Sequence, residues 1–312
     1  MDLAVILAGF GVGIVVGLTG MGGGALMTPV LVLFFNISPL AAVSSDLVAA
    51  AVMKPVGSWV HFRRGTIHWS LVRWLMIGSV PSAFAGVLLL RALGGGSQDV
   101  QRVVTLALGV ALLVAAGSIV FKAYLAVRQR RAAAEAKARG EIVEDRSDAP
   151  IVVRPLPTLL VGAAGGLIVG LTSVGSGSLI IIALLALYPT LTANRLVGTD
   201  LIQAVPLVAS AALGHLIFGD FQLGLTTSLL IGSIPGVYLG AQLSSRAPGG
   251  LIRRALVVVL TASGLKLLGV PTDVLGYLLI TIVVLGPIGW AVLRRRFAPR
   301  PVQRPDRPRS LA

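Results

Sequence analysis

Apolar residues fill nine stretches, at about residues 3–35, 39–62, 70–91, 102–122, 157–188, 193–218, 223–244, 251–270 and 274–293, separated by short polar or basic turns. A helix rises about 1.5 Å per residue, so about 20 apolar residues cross a hydrocarbon core ~30 Å thick, and most of these stretches reach that length. The pattern predicts an all-α polytopic membrane protein. Two regions interrupt it. In residues 123–156, Arg128, Arg130, Arg131, Lys137, Arg139, Arg146 and Arg154 are interleaved with Glu135, Glu141, Glu144, Asp145 and Asp148. This reads as a water-facing linker, helical over its Ala-rich beginning. The Arg- and Pro-rich residues 294–312 cannot build a core and read as a disordered tail.

The apolar stretches repeat. Leu7 to Leu26 aligns with Leu160 to Leu179 at a shift of 153, with identity at ten of twenty positions, and Gly9, Gly13 and Gly17 fall on Gly162, Gly166 and Gly170. One residue of slip later, a shift of 154 pairs Asp46 with Asp200, His61 with His215, Gly65 with Gly219, Gly78 with Gly232, Pro81 with Pro235 and Gly86 with Gly240. Two copies of one unit therefore divide the chain into a first membrane repeat (1–122), the charged linker (123–156), a second membrane repeat (157–270), an extra transmembrane helix (271–293) and the basic tail (294–312).

Charge orients the two copies. If every stretch crossed once, the linker and the tail would lie on opposite faces, against the tendency of basic residues to stay inside. If the first stretch of each repeat dips in and returns, each repeat makes three crossings and the second is inverted. The linker, the tail, Arg63, Arg64, Arg73, Arg195, Arg246, Arg253 and Arg254 are then all cytoplasmic, with Arg91 and Arg102 outside. Length agrees, since 157–188 is about 48 Å as straight helix, too long for one untilted crossing and too short for two. A single long helix continuing past the bilayer is the alternative. The expected architecture is two inverted repeats, each of one broken, re-entrant segment plus three transmembrane helices, with an extra C-terminal transmembrane helix.

Composition narrows the chemistry. Of 312 residues 55% are hydrophobic and 12% charged, with a positive mean hydropathy, which excludes a soluble domain on a single anchor. No Cys is present, so disulfides, Cys-ligated metals and thiol catalysis are excluded. The net charge of +14 lies mostly between or after apolar stretches and is topology signal rather than a nucleic-acid footprint. The chain opens without a basic n-region or a cleavage site, so its first stretch is expected to stay in the mature protein.

The breaks lie where the sequence reads GLTGMGGGAL from Gly17 and GLTSVGSGSL from Gly170. Glycine is a poor helix former, and unwound backbone at membrane depth must line a polar cavity or find partners. Gly9, Gly13 and Gly17 and their counterparts, spaced by four, read as close helix packing. Thr19, Gly20, Gly22, Gly23 and Gly24 in the first break, with Thr172, Ser173, Gly175, Ser176, Gly177 and Ser178 in the second, form a candidate anion cradle of amides and hydroxyls. Neither break carries a nucleotide-binding loop, and Val174 breaks the Gly-x-Ser-Gly pattern of a rhomboid-like nucleophile at Ser176.

Of the twelve acidic residues, five lie in the linker, and Asp2, Asp99, Asp220, Asp273 and Asp306 lie at termini or turns. Asp46 and Asp200 alone fall inside apolar stretches, as repeat partners. An ionised side chain at the centre of a membrane helix costs about 2.5–3.5 kcal/mol, so the pair is a candidate for proton or ion coupling, with interfacial capping as the alternative. Ser45, Thr199, Asn194 and Gln203 add polar groups to the same helix faces. Lys54 is the one cation near the middle of a span: it neutralises a bound anion, snorkels, or pairs with Asp46 about 12 Å away. His61 and His215 read as interfacial and structural.

The combination of Gly13 to Gly24, the buried Asp46, Gly78 to Gly86 with Pro81, and their repeat partners Gly166 to Gly177, Asp200 and Gly232 to Gly240 resembles the sulfite exporter TauE/SafE family over nearly the whole chain outside linker and tail. The resemblance implies a prokaryotic plasma-membrane secondary transporter, not an enzyme, moving small sulfur-containing anions such as sulfite or organosulfonates outward without ATP. It implies no cofactor and, as partners, an anionic substrate and membrane lipid, with no nucleic acid. The chain departs in Ser173, Ser176 and Ser178, which make the second break richer in hydroxyls than the first, and in its long linker. A channel or a sodium-coupled carrier is the alternative within membrane transport, and an intramembrane enzyme or accessory subunit the alternative outside it.

Overall fold

The computed structural model describes residues 2–19, 23–63, 67–138, 151–191, 193–243 and 249–296. These form eleven helices and no strand: α1 (Leu3–Thr19), α2 (Gly24–Phe34), α3 (Pro39–Arg63), α4 (Trp69–Ala92), α5 (Gln98–Ala138), α6 (Pro155–Thr172), α7 (Leu179–Leu187), α8 (Ala193–Phe218), α9 (Leu223–Leu243), α10 (Gly249–Leu267) and α11 (Thr272–Arg296). Lipid offers no partner to a bare N–H or C=O, so a crossing segment satisfies its own backbone as helix. Among the described residues five helices are long and apolar enough to cross a membrane: α4, Gln98–Arg128 of α5, α6, Arg195–Phe218 of α8, and α9. Large apolar side chains stay exposed on their outer sides, Leu106, Val110 and Val114 on α5 and Leu213 and Ile217 on α8 among them. Such a surface suits lipid and would aggregate in water. The chain is a multi-pass membrane protein.

Contacts along the helices give their directions. On α1 and α9, Gly9 meets Leu229, Gly13 meets Ser233 and Gly17 meets Val237, so the two run parallel. On α6 and α4, Gly162 meets Leu75, Gly166 meets Ser79 and Gly170 meets Ala83, again in parallel. Helix α3 runs parallel to α9, through Ser45 with Gln222 and Met53 with Ser233, and α4 runs parallel to α8, through Ser79 with Gln203 and Arg91 over Phe218. Helices α3 and α8 are antiparallel, since Ser44 meets His215 while Ser58 meets Leu201.

It follows that α1 and α3 run the same way, and the chain must come back between them. Helix α2 makes that return, and its end stands beside the start of α1, where Phe35 and Ile37 share a cavity with Asp2 and Val5. In the second half α7 returns in the same manner, its end fixed to the start of α6 by the Tyr188 hydroxyl, which accepts the Arg154 N–H at 2.9 Å and lies 2.6 Å from Thr158 Oγ1. Each half is a broken hairpin plus three crossings, and the antiparallel α3 and α8 make the halves inverted. The repeats are also interlocked, because the hairpin of each packs on the fourth helix of the other.

The interlocking depends on glycine. A Cβ on Gly232 would lie 2.0 Å from the Ile6 carbonyl oxygen, and one on Gly166 2.3 Å from that of Ser79. Without a hydrophobic drive between helices in lipid, backbone approach at small residues supplies the packing. Fully buried Leu31, Leu47, Leu75, Leu108, Leu184, Leu207 and Leu229 fill the space between. Helix α5 packs on α10, antiparallel, with Gly109 against Leu268 and Leu113 against Gly264. Helix α11 packs outside α10.

These directions collect the starts of α6, α8 and α10 and the ends of α3 and α5 on one face, which we call the linker face. Arg63, Arg154, Arg195, Arg253 and Arg254 sit there, while Asp2, Asp99, Asp220, Arg91 and Arg102 sit at the other, amino-terminal face. On the linker face Trp59 stacks on Phe62 at 5.6 Å between centroids and Trp69 meets Phe62 edge-on, all three exposed, as suits aromatic rings at a headgroup boundary.

Candidate functional site

The second break is built from local turns. Helix α6 stops at Thr172 because Ser173 adopts a left-handed backbone, φ 61°, while its N–H donates back to the Val169 carbonyl at 2.8 Å. The Thr172 hydroxyl donates to the Ile168 carbonyl at 2.6 Å and accepts the Val174 N–H at 3.1 Å. Gly175, φ 122°, turns the chain where an L side chain would be strained, and its carbonyl accepts the Leu179 N–H at 3.1 Å to begin α7. In the first break Gly20 and Gly22 lie outside the described residues. Thr19 donates to the Val15 carbonyl of its own helix at 2.8 Å, and Gly23 and Gly24 lead into α2. The second break reaches the first at Gly24, where a Cβ would lie 2.1 Å from the Ser173 carbonyl oxygen.

A cavity of about 20 Å³ opens there, lined by Gly24, Ala25, Ala50, Lys54, Ser173, Gly175, Ser176, Gly177, Ser178 and Val208. Three of its pairs, Gly24 with Gly177, Ala25 with Ser178 and Lys54 with Val208, are repeat partners, so the cavity lies on the pseudo-twofold axis between the halves. Lys54 brings the one charge to this lining. Its ammonium donates to Ser176 Oγ of the other repeat, and among the described residues no carboxylate lies within 4.0 Å of it. Asp200 and Asp46 both act on it through space.

The two carboxylates are dressed differently. Asp46, fully buried, accepts from Ser173 at 2.5 Å and from Thr28 at 3.2 Å, both on Oδ2. Its Oδ1 is buried with no hydrogen-bond partner among the described residues and lies 4.0 Å from where a Cβ on Gly23 would sit. Asp200 accepts from Gln203 of its own helix at 3.2 Å, and Gln203 in turn accepts from Ser79 at 3.3 Å. The repeat partner of Ser173 is Gly20, which has no hydroxyl to offer Asp200. Counting along the helices, Asp46 lies about 10 Å in from the amino-terminal face, Lys54 about 22 Å, and Asp200 about 10 Å in from the linker face. The charges thus alternate through the molecule as carboxylate, ammonium, carboxylate.

Other expected site residues have different partners. Ser45 and Thr199 do not reach the cavity. As repeat partners they make the same contact twice: Ser45 accepts the Gln222 N–H at 3.4 Å and Thr199 the His68 N–H at 3.0 Å, each tying one repeat to the start of a helix in the other. His215 is fully buried inside the protein, close to the end of α8 at the amino-terminal face. Its Nε2 meets the Gly170 carbonyl at 2.8 Å, so it carries the proton there, and its Nδ1 lies 2.7 Å from Ser44 Oγ. The side chains of His61 and Asn194 lie outside the described residues. Lys122, which the sequence shows only as the last residue of an apolar stretch before a basic linker, donates to the Gly177 carbonyl at 3.3 Å and acts on Asp200.

One consequence can be measured on stability alone. Replacing Ser173 by Gly suits the left-handed backbone but strips the buried Asp46 of its closest donor. We expect a loss of about 1–3 kcal/mol, read by thermal unfolding in detergent, and the loss disappears when Asp46 is already Asn. Equal losses in the two backgrounds contradict the coupling.

Comparison with known proteins agrees with this architecture. Residues 5–267 match the family described as Sulfite exporter TauE/SafE. "Probable membrane transporter protein YjnA" of Bacillus subtilis (strain 168) is 37% identical over 268 residues, covering 86% of this chain and all of that protein. "Probable membrane transporter protein YdhB" of the same organism is 24% identical over 266 residues, again across its full length and 85% of this chain. No solved structure matches the chain. With the match spanning both interlocked repeats and both breaks, the chain belongs to the sulfite exporter TauE/SafE family.

Proposed function

We propose that this protein is a gradient-driven secondary transporter that binds a small sulfur-containing anion, sulfite or an organosulfonate, at the cavity between the two breaks and exports it. The observation that carries the reading is Lys54. It is a part-buried ammonium with no carboxylate in ion-pair range among the described residues, donating to a serine hydroxyl in a cavity on the axis of an inverted repeat. Inverted repeats around a midplane site fit alternating access, in which one half rocks against the other. At about 20 Å³ the cavity holds a water-sized group, so the arrangement described is the closed one, and opening separates the second break from α3. The hydroxyls of Ser173, Ser176 and Ser178, with backbone amides at the start of α7, supply further donors to an oxyanion. By the excess of Arg and Lys, the linker face is cytoplasmic.

Asp46 and Asp200 are the proposed proton carriers. An ionised carboxylate repels a bound anion, and protonation removes that repulsion, which couples anion movement to a pH gradient. Sodium coupling has one observation in its favour, the Asp46 Oδ1 beside Gly23, which has no hydrogen-bond partner among the described residues and which a cation can satisfy. Efflux of labelled sulfite from proteoliposomes separates the cases. We expect efflux to follow an imposed pH gradient and to lose that dependence when both Asp46 and Asp200 are Asn. If the double variant keeps the pH dependence, the carboxylates are not the carriers; if efflux follows sodium and ignores pH, the coupling ion is sodium.

A further inference from the structure

We propose that Lys122 forms a second anion subsite on the linker-face side of Lys54, holding the anion against the first turn of α7 on its way to the cavity. The proposal rests on the anion-transport reading above and names where the anion is bound before it reaches Lys54. Helices α3 and α5 both start at the amino-terminal face, and by helical rise Lys54 lies about 22 Å and Lys122 about 36 Å from those starts. Lys122 is therefore the deeper of the two, toward the linker face. Both ammoniums meet the same turn: Lys54 donates to Ser176 Oγ and Lys122 to the carbonyl of the next residue, Gly177, at 3.3 Å.

The charges around Lys122 fit a binding group better than a structural pin. Among the described residues its one hydrogen bond is to a neutral carbonyl, which leaves two of its three donors for a ligand. Asp200 acts on it through space without coming into ion-pair range, and Arg253 of α10 also acts on it, with like charge. Arg253 is exposed at the linker face. Arg253 at that face repels Lys122, Lys122 meets the same turn as Lys54, and an oxyanion between Arg253 and Lys122 relieves their repulsion.

The chain contains no cysteine, so Lys122→Cys introduces a single thiol. In oriented proteoliposomes we expect this thiol to react with an anionic, sulfonate-bearing methanethiosulfonate reagent added on the linker face and not on the other. Lys122→Gln is expected to raise the KM for flux from the linker face about 10-fold with the maximal rate in that direction within about 2-fold; the driving force fixes the ratio of Vmax/KM in the two directions, so from the opposite face the KM stays within about 2-fold and the maximal rate falls instead, and Lys122→Arg restores both. A thiol that is unreactive from the linker face overturns the proposal, as does a Lys122→Gln variant whose KM is unchanged from the linker face or changes equally from both faces. If the unmodified protein transports none of sulfite, thiosulfate, sulfoacetate and taurine, the anion reading itself fails and this proposal with it. Transport by the unmodified protein with an unchanged linker-face KM in Lys122→Gln removes the second subsite alone.

Discussion

Replacing Lys54 by Gln is expected to weaken the apparent affinity for the transported anion by about 10- to 100-fold while leaving the protein folded. A hydrogen bond from a charged donor contributes about 1.5–3 kcal/mol, and each 1.4 kcal/mol is a factor of ten. The change removes the only charge lining the cavity among the described residues and leaves Asp46 and Asp200 to repel what enters. Stability changes little, because Lys54 is only part-buried and Gln can still donate to Ser176. The pseudo-twofold axis adds a stricter expectation. Moving the charge to the repeat partner, Lys54→Val with Val208→Lys, returns an ammonium to the same cavity and should recover part of the affinity. KM from initial-rate flux and a thermal unfolding curve check both variants. A Lys54→Gln protein with unchanged KM removes the cation from the binding site.

The second large effect concerns the interlock. Gly232→Ala places a methyl group 2.0 Å from the Ile6 carbonyl oxygen, and backbone atoms of a packed helix cannot move aside as a flexible side chain can. Overpacking a fitted contact costs about 1–3 kcal/mol and more where the clash is with backbone, so we expect a loss of at least about 3 kcal/mol, or failure to purify a monodisperse protein. Gly166→Ala, on the equivalent seam between α6 and α4, should behave alike. Gly11→Ala is the control, since it lies on the same helix as Gly9 and Gly13 and a Cβ there meets nothing within 4 Å. Unfolding temperature in detergent separates the three variants. Equal stability of Gly232→Ala and Gly11→Ala contradicts the described helix seam.

Much of this was legible in the sequence because membrane helices announce themselves through length, hydropathy and glycine spacing. The glycine stripes of α1 and α6 predicted close packing, and the contacts at Gly13 and Gly166 have that character. The inverted architecture followed from the positions of arginines, and among the described residues Arg63, Arg154, Arg195, Arg253 and Arg254 gather on one face once helix directions are traced. What the sequence hides is which helix comes to lie beside which. Lys54 was open between three roles because its partner, Ser176, belongs to the other repeat, 122 residues away. Ser45 and Thr199 stand next to Asp46 and Asp200 in sequence but point to helix starts across the repeat boundary. Lys122, at the end of an apolar stretch, drew no reading because nothing local separates a snorkelling lysine from one that turns inward.

The measurement that tests the central claim most directly is charge movement on a solid-supported membrane, joined to isotope flux in the same proteoliposomes. Sulfite, thiosulfate, sulfoacetate, taurine and chloride are jumped in turn, with and without a pH gradient, over the unmodified protein and Lys54→Gln. The account predicts a response to at least one sulfur compound that changes with the gradient and collapses in Lys54→Gln at the same concentration. Silence in both current and flux from folded protein, or a response identical in the Lys54→Gln variant, would contradict it.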